Sequence, residues 1–265
     1  MNLKFARNGI VGCSINDLFV YICGETLKWI TCLSLIAVCE NTIGMANVTT
    51  LTFLTNTELS DNETPFLRGA VIRMAGEDSL LFHDHCVEGL RYSYPLIQYK
   101  SIDGKAAVVA VGAGADEVGK ILRSLDGKVQ IGRRTVAMVI SDILHSFTDV
   151  RLDERFHQYK ICRWLPLNQQ NFTEYNKIDT LSEKCGMLER VLIGNILSFA
   201  KGLGIFFDGQ VVAGIQDIRS ERQYKYKGVM MLGMDVVFRT NVLLPQYVGL
   251  GKGVSLGFGT ITEIK

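Results

Sequence analysis

Proline is scarce in this sequence, at four residues in 265, and hydrophobic residues make up 48% against 21% charged. A collagen-like or disordered chain is thereby excluded. Net charge is also lacking: 28 lysines and arginines meet 27 aspartates and glutamates, leaving +1. Any attraction to a polyanion must then come from local clustering. No two of the seven cysteines form a Cys-x-x-Cys pair, and four of them (Cys13, Cys23, Cys32 and Cys39) fall in the first 44 residues. That odd and irregular set argues against a disulfide framework and for a reducing compartment. The first 44 residues lack a long apolar run as well, because their longest uncharged stretch, 29–39, has 11 residues. A bilayer span needs about 20, and a signal peptide is a poor fit, because the apolar run starts late and no clear small-x-small cleavage site follows it.

What is present becomes regular from Met45 onward, which suggests that translation starts there and that 1–44 is an upstream extension outside the fold. Residues 47–55 alternate and are rich in threonine, as a strand requires. Pro65 opens a helical spacing of Leu67, Ala70, Val71 and Met74 that stops at Gly76. Strands are expected at 94–101 and 106–111 about the turn Asp103-Gly104, a helix at 116–125 and a strand at 130–141. A second cycle follows, with a strand at 159–165, a long helix at 181–203, and short strands at 211–218, 227–231, 235–242 and 256–261. Strand, helix, strand, strand, helix-like segment, strand, twice over, is the order of the ferredoxin-like split βαβ unit. The expected fold class is therefore α+β: two tandem ferredoxin-like (RRM-like) domains, 45–155 and 156–265, with antiparallel sheets and helices on one face. Charge divides the same way. Residues 45–150 hold 10 basic and 13 acidic side chains, and residues 151–265 hold 15 and 11. The later half is the better candidate for a polyanionic partner.

Three groups of residues carry candidate chemistry. Two of the four histidines, His83 and His85, flank Asp84 just after the first expected helix, with Cys86 next. Imidazole and thiolate are zinc ligands, but neither His145 nor His157 supplies the second pair that a tetrahedral site needs. Acid and base chemistry is the alternative, since imidazole titrates near pH 6.5. Arg91, Tyr92 and Tyr94 follow closely, a cation and two phenols able to hold a phosphate. The second group is glycine-rich: Gly249, Gly251, Gly253, Gly257 and Gly259 occur within eleven residues that also contain Lys252 and Ser255. Glycines let backbone N–H groups approach phosphate oxygens, yet Gly-Lys is followed here by Gly, so this is no Walker loop. The third is Arg219, Arg222, Tyr224, Lys225, Tyr226 and Lys227, cations interleaved with rings, suited to phosphates and stacked bases of RNA. Each group also has a plainer reading: loop histidines ending a helix, a bulge before the last strand, and a solvated hairpin tip.

Taken together, Phe82-His-Asp-His85, Tyr94-Pro-Leu-Ile-Gln-Tyr-Lys100 and the glycine-rich 249–259 resemble the CRISPR-associated endoribonucleases that cut precursor repeat RNA into guide RNAs, in particular the type I-B branch. The resemblance covers about 47–265. It implies two ferredoxin-like domains and cofactor-free, metal-independent cleavage by a ribose 2′-hydroxyl, leaving 2′,3′-cyclic phosphate and 5′-hydroxyl ends. By the same resemblance His85 is the principal acid or base, His83 its partner, Tyr92 an assisting phenol, and Arg91, by proximity, the cation at the phosphate. Arg219, Arg222, Tyr224, Lys225, Lys227, Gly249, Gly251, Lys252, Gly253, Ser255 and Gly257 are then expected to hold the RNA. Precursor CRISPR RNA is the expected partner; a CRISPR interference complex and a second copy of the chain are further candidates, with no membrane role, in a prokaryotic cytoplasm. A catalytically inactive RNA-binding subunit of the same fold is the alternative.

Overall fold

A computed structural model of the chain describes residues 47–75, 94–121 and 127–264. The extension 1–44 lies outside them. β1 (Asn47–Glu58) leads through a 3-10 turn (Asp61–Glu63) into α1 (Thr64–Ala75), and the strands β2 (Ile97–Ile102) and β3 (Lys105–Val111) form a hairpin about Asp103 and Gly104. α2 (Ala113–Ile121), the small hairpin β4 (Gly127–Ile131) and β5 (Arg134–Met138), and β6 (Ile140–Asp149) complete the first half. The sheet order is β2-β3-β1-β6 and every pairing is antiparallel, which is the ferredoxin-like arrangement with a hairpin inserted before the last strand. A single strand was expected over 130–141. Instead Gly132, at φ +61°, turns the chain back on itself, and the sheet-completing strand lies further on.

Strand β3 explains how this sheet is used. Its sequence KAAVVAV is apolar at six successive positions because both faces are covered. Ala106, Val108 and Ala110 join Leu67 and Val71 of α1 and Val118 of α2 in one core. Ala107, Val109 and Val111 face the other way, into a second core shared with the rest of the chain.

The second half repeats the order. β7 (Leu152–Trp164), α3 (Gln169–Tyr175), α4 (Leu181–Gly202), β8 (Ala213–Tyr226), β9 (Val229–Val242) and β10 (Thr260–Glu263) give an antiparallel sheet in the order β10-β7-β9-β8. The expected domain border, 155/156, falls inside β7. Thr180 caps α4, its hydroxyl oxygen accepting the Glu183 N–H at 3.3 Å, and Leu188, Leu192, Ile196 and Phe199, at three- and four-residue spacing, form its buried stripe. Between β9 and β10 no long helix forms. The glycine-rich segment and a 3-10 turn (Val254–Leu256) occupy the connection, with Val248 and Leu250 in the shared core. The strand expected at 256–261 begins only at Thr260.

Candidate nucleic-acid interface

β8 and β9 pair residue for residue from Ser220↔Asp235 to Tyr226↔Val229, and Lys227 (φ +48°) and Gly228 (φ +84°) make the turn. A two-residue turn with both φ positive matches the twist of the strands it joins. Residues 219–226, read from sequence as a link between strands, are therefore strand, and their side chains alternate. Arg222, Tyr224 and Tyr226 share one face, and Lys225 lies on the other. Arg222, Lys225 and Lys227 are exposed, whereas Arg219 pairs with Asp217 at 3.3 Å.

The two tyrosines turn toward the glycine-rich segment. Each meets Phe258 edge to face, with ring centroids 5.8 Å apart. Gly233 makes room for this: a Cβ there would lie 2.5 Å from the Tyr224 ring. Arg163, from the end of β7, stacks its guanidinium 4.4 Å from the Phe258 centroid and 5.3 Å from that of Tyr224, and reaches Asp61 at 3.3 Å. It is 8% exposed, its φ is +52°, and its Nε is buried without a hydrogen-bond partner among the described residues. Positive φ in a non-glycine residue and a buried unpaired donor each cost on the order of 1–3 kcal/mol. The Arg163 N–H donates to Asp235 Oδ1 at 2.7 Å, which helps hold the conformation. The basic hairpin and the glycine-rich segment, 24 residues apart at Lys227 and Gly251 in the sequence, thus form one surface around a buried cation.

The glycines do not all face outward. Gly249 is buried, its N–H donates to Gln98 Oε1 at 3.0 Å, and its carbonyl accepts the Tyr94 hydroxyl at 2.9 Å. Gln98 Nε2 donates to the same tyrosine oxygen at 2.7 Å. Gly257 is buried against the Tyr99 carbonyl and Thr64. These two glycines and Tyr94 clasp the segment to β2 rather than present groups to a ligand, because buried polar groups on β2 require partners. Desolvation raises the Tyr94 phenol pKa well above its ordinary value. Gly251 sits at φ +91° where a Cβ would be 2.8 Å from Asn195 Oδ1, the acceptor of the Trp164 indole N–H. Lys252 is exposed, and Gly253 and Ser255 are half-buried beside it.

Lys100 also lies at this junction. It is fully buried, its Nζ donates to Thr260 Oγ1 at 3.0 Å, and burial, with the nearby Arg163 charge, lowers its pKa to about 7. Arg163 stands outside every motif of the sequence, and Gln98 and Lys100 enter only as members of the motif Tyr94-Pro-Leu-Ile-Gln-Tyr-Lys100. The available signal was a polar or cationic side chain inside an apolar strand, as in Ile161-Cys-Arg-Trp-Leu165 and Ile97-Gln-Tyr-Lys100. His83, His85, Arg91 and Tyr92 fall between Ala75 and Tyr94 and lie outside the described residues.

The Cas6b N-terminal domain family matches residues 45–149 and the Cas6b C-terminal domain family residues 151–264. A crystal structure of Cas6b is similar at 26% identity and a TM-score of 0.75, covering 83% of this chain and 100% of that one. A crystal structure described as the CRISPR RNA processing endoribonuclease Cas6b is similar at 25% identity and a TM-score of 0.65, with the same coverage. An uncharacterized protein of Methanocaldococcus jannaschii is 34% identical over 120 residues, 45% of this chain and 80% of its own length.

Proposed function

The chain belongs to the Cas6b family, a family of CRISPR RNA processing endoribonucleases, and from that premise we propose that it cuts CRISPR repeat RNA into guide RNAs by metal-independent transesterification. The observation that carries the reading is the surface around Arg163, where exposed Arg222, Lys227 and Lys252 adjoin the rings of Tyr224, Tyr226 and Phe258, with Lys225 exposed on the other face of the same hairpin. Cations for phosphates beside ring faces and a glycine-rich backbone are the chemistry of RNA binding. Ser255, Gly251 and Gly253 border Lys252 and complete the proposed contact; Gly249 and Gly257 shape it from beneath, and Arg219 contributes less because Asp217 already pairs with it.

In the proposed reaction one imidazole of the His83 and His85 pair takes the 2′-hydroxyl proton. O2′ bonds to the adjacent phosphorus as the bond from phosphorus to O5′ breaks, and the departing O5′ receives a proton. The products are a 2′,3′-cyclic phosphate and a 5′-hydroxyl, with no water consumed. His85 is the principal acid or base, with Tyr92 assisting, and the Arg91 cation stabilises charge gathering on the phosphoryl oxygens.

The test is cleavage of the repeat RNA encoded beside this gene, in excess EDTA, by the parent and by His85→Ala. Parent cleavage persists and leaves cyclic phosphate ends, while His85→Ala slows it about 10²- to 10⁴-fold and still binds. Loss of parent activity in EDTA overturns the metal-free mechanism. Tight binding by a parent that cuts under no condition replaces it with an RNA-binding subunit.

A further inference from the structure

The first domain carries more acidic than basic residues, yet part of its positive charge is gathered in two elements. α1 and the inserted β4–β5 hairpin contain Arg68, Arg73, Lys128, Arg133 and Arg134 and no aspartate or glutamate. The two elements face each other across an open groove of about 640 Å³ lined by Pro65, Phe66, Gly69, Arg73, Gln130 and Arg133. The Arg73 guanidinium donates to the Gln130 carbonyl at 3.2 Å, which fixes one wall to the other. Arg134 is committed to Glu63 at 2.8 Å, but Arg133 and Lys128 are exposed and form no ion pair among the described residues. Lys128 shares the face of β4 that Gln130 presents, two residues along the strand.

Phe66 stands in this groove with 52% of its surface exposed. Gly132, at the tip of the hairpin, packs against its ring: a Cβ there would lie 3.3 Å from Cδ2. A large ring held on one side and open on the other, in a groove that Arg73 and Arg133 line, has the composition of a base-stacking subsite. A duplex hides its base faces, so only an unpaired base can use such a ring. The groove also adjoins the surface already described. Thr64, the first residue of α1, lies close to Gly257 of the glycine-rich segment, where a Cβ would be 3.3 Å from the Thr64 methyl, and Phe66 lies about 3 Å of helical rise further on, on the other side of the helix. An RNA strand leaving the glycine-rich segment has to round only the first turn of α1 to enter.

We infer that the groove between α1 and the β4–β5 hairpin binds a single-stranded flank of the RNA, stacking a base on Phe66 and pairing its phosphates with Arg73 and Arg133. The inference rests on the RNA-binding function proposed above and adds a second subsite to it.

The test uses the full chain carrying His83→Ala and His85→Ala, so that the RNA stays intact, and compares two probes: the complete repeat with its single-stranded flanks, and the repeat trimmed to its paired stem. Phe66→Ala is expected to weaken the complete repeat about tenfold. Arg73→Ala with Arg133→Ala is expected to lower the slope of log affinity against log salt by about 1.4. Neither change alters affinity for the stem. Equal weakening of both probes, or no weakening of either, overturns the flank subsite while leaving RNA binding by this chain intact. Failure of the unsubstituted background to bind either probe overturns the RNA-binding reading itself, and the subsite with it.

Discussion

Lys100 extends from a strand covered on both faces and gives its one described hydrogen bond to Thr260 of the other domain. Removing an ammonium from water disfavours its charged form, and the Arg163 charge adds to that effect. With a folded pKa of about 7 against an ordinary 10.5, the unfolded chain binds a proton that the folded chain refuses between those values. Stability from this group therefore falls as pH drops from 10.5 to 7, and has no slope beyond either limit. Lys100→Met removes the titrating group. In urea unfolding, the parent midpoint is expected to rise relative to that of Lys100→Met between about pH 7.5 and about pH 9.5. Parallel midpoints across that range show that the amine is not held neutral. At this scale the sequence was a partial guide. It pointed to exposed Arg222, Lys225, Lys227 and Lys252 through their clustering, but an isolated lysine in a strand gave no sign that its neighbours would be another domain.

Among the elements, α4 was legible nearly to its ends, because an amphipathic stripe 22 residues long is a local signal. The sequence marks only 211–218 of β8 as strand, since its polar second half buries little and lacks an apolar period; pairing with β9 keeps it extended. The glycine-rich connection illustrates what sequence spacing conceals. Gly104 and Gly259 both have positive φ, +76° and +65°, but a Cβ at Gly104 meets nothing within 4 Å, whereas one at Gly259 would lie 2.0 Å from the Leu250 carbonyl oxygen. Gly104→Ala is expected to cost only the left-handed penalty, about 1–2 kcal/mol. Gly259→Ala must also move the backbone that Leu250 N–H bonds to at 2.8 Å, and should cost roughly 3 kcal/mol or more. Thermal unfolding of the two variants measures the difference, and equal shifts in midpoint overturn the account of Gly259.

For the folded body as a whole, one core joins the two sheets. Val109 and Val111 of the first sheet, Tyr159 and Ile161 of the second, and Leu192 and Phe199 of α4 belong to a single cluster. Tyr94 strengthens the joint, edge-on to Phe199 with centroids 5.1 Å apart. The two sheets and the helices packed on them should then unfold in one cooperative step, with calorimetric and van't Hoff enthalpies equal. Gln98→Ala leaves the Gly249 N–H buried without its acceptor and should lower stability by about 1–3 kcal/mol while keeping a single transition. Two separated transitions in the parent overturn the shared core. Composition, alternation and helical spacing determined the fold class, the repeat of two units and the residues able to do acid–base and RNA chemistry, because those properties belong to side chains and their local period. Only the tertiary structure decided which glycines face inward, that Arg163 lies beneath the rings of Tyr224 and Phe258, and that α1 meets an inserted hairpin across a cationic groove. Such contacts join residues far apart in the chain, and their positions depend on how both sheets pack rather than on any local pattern.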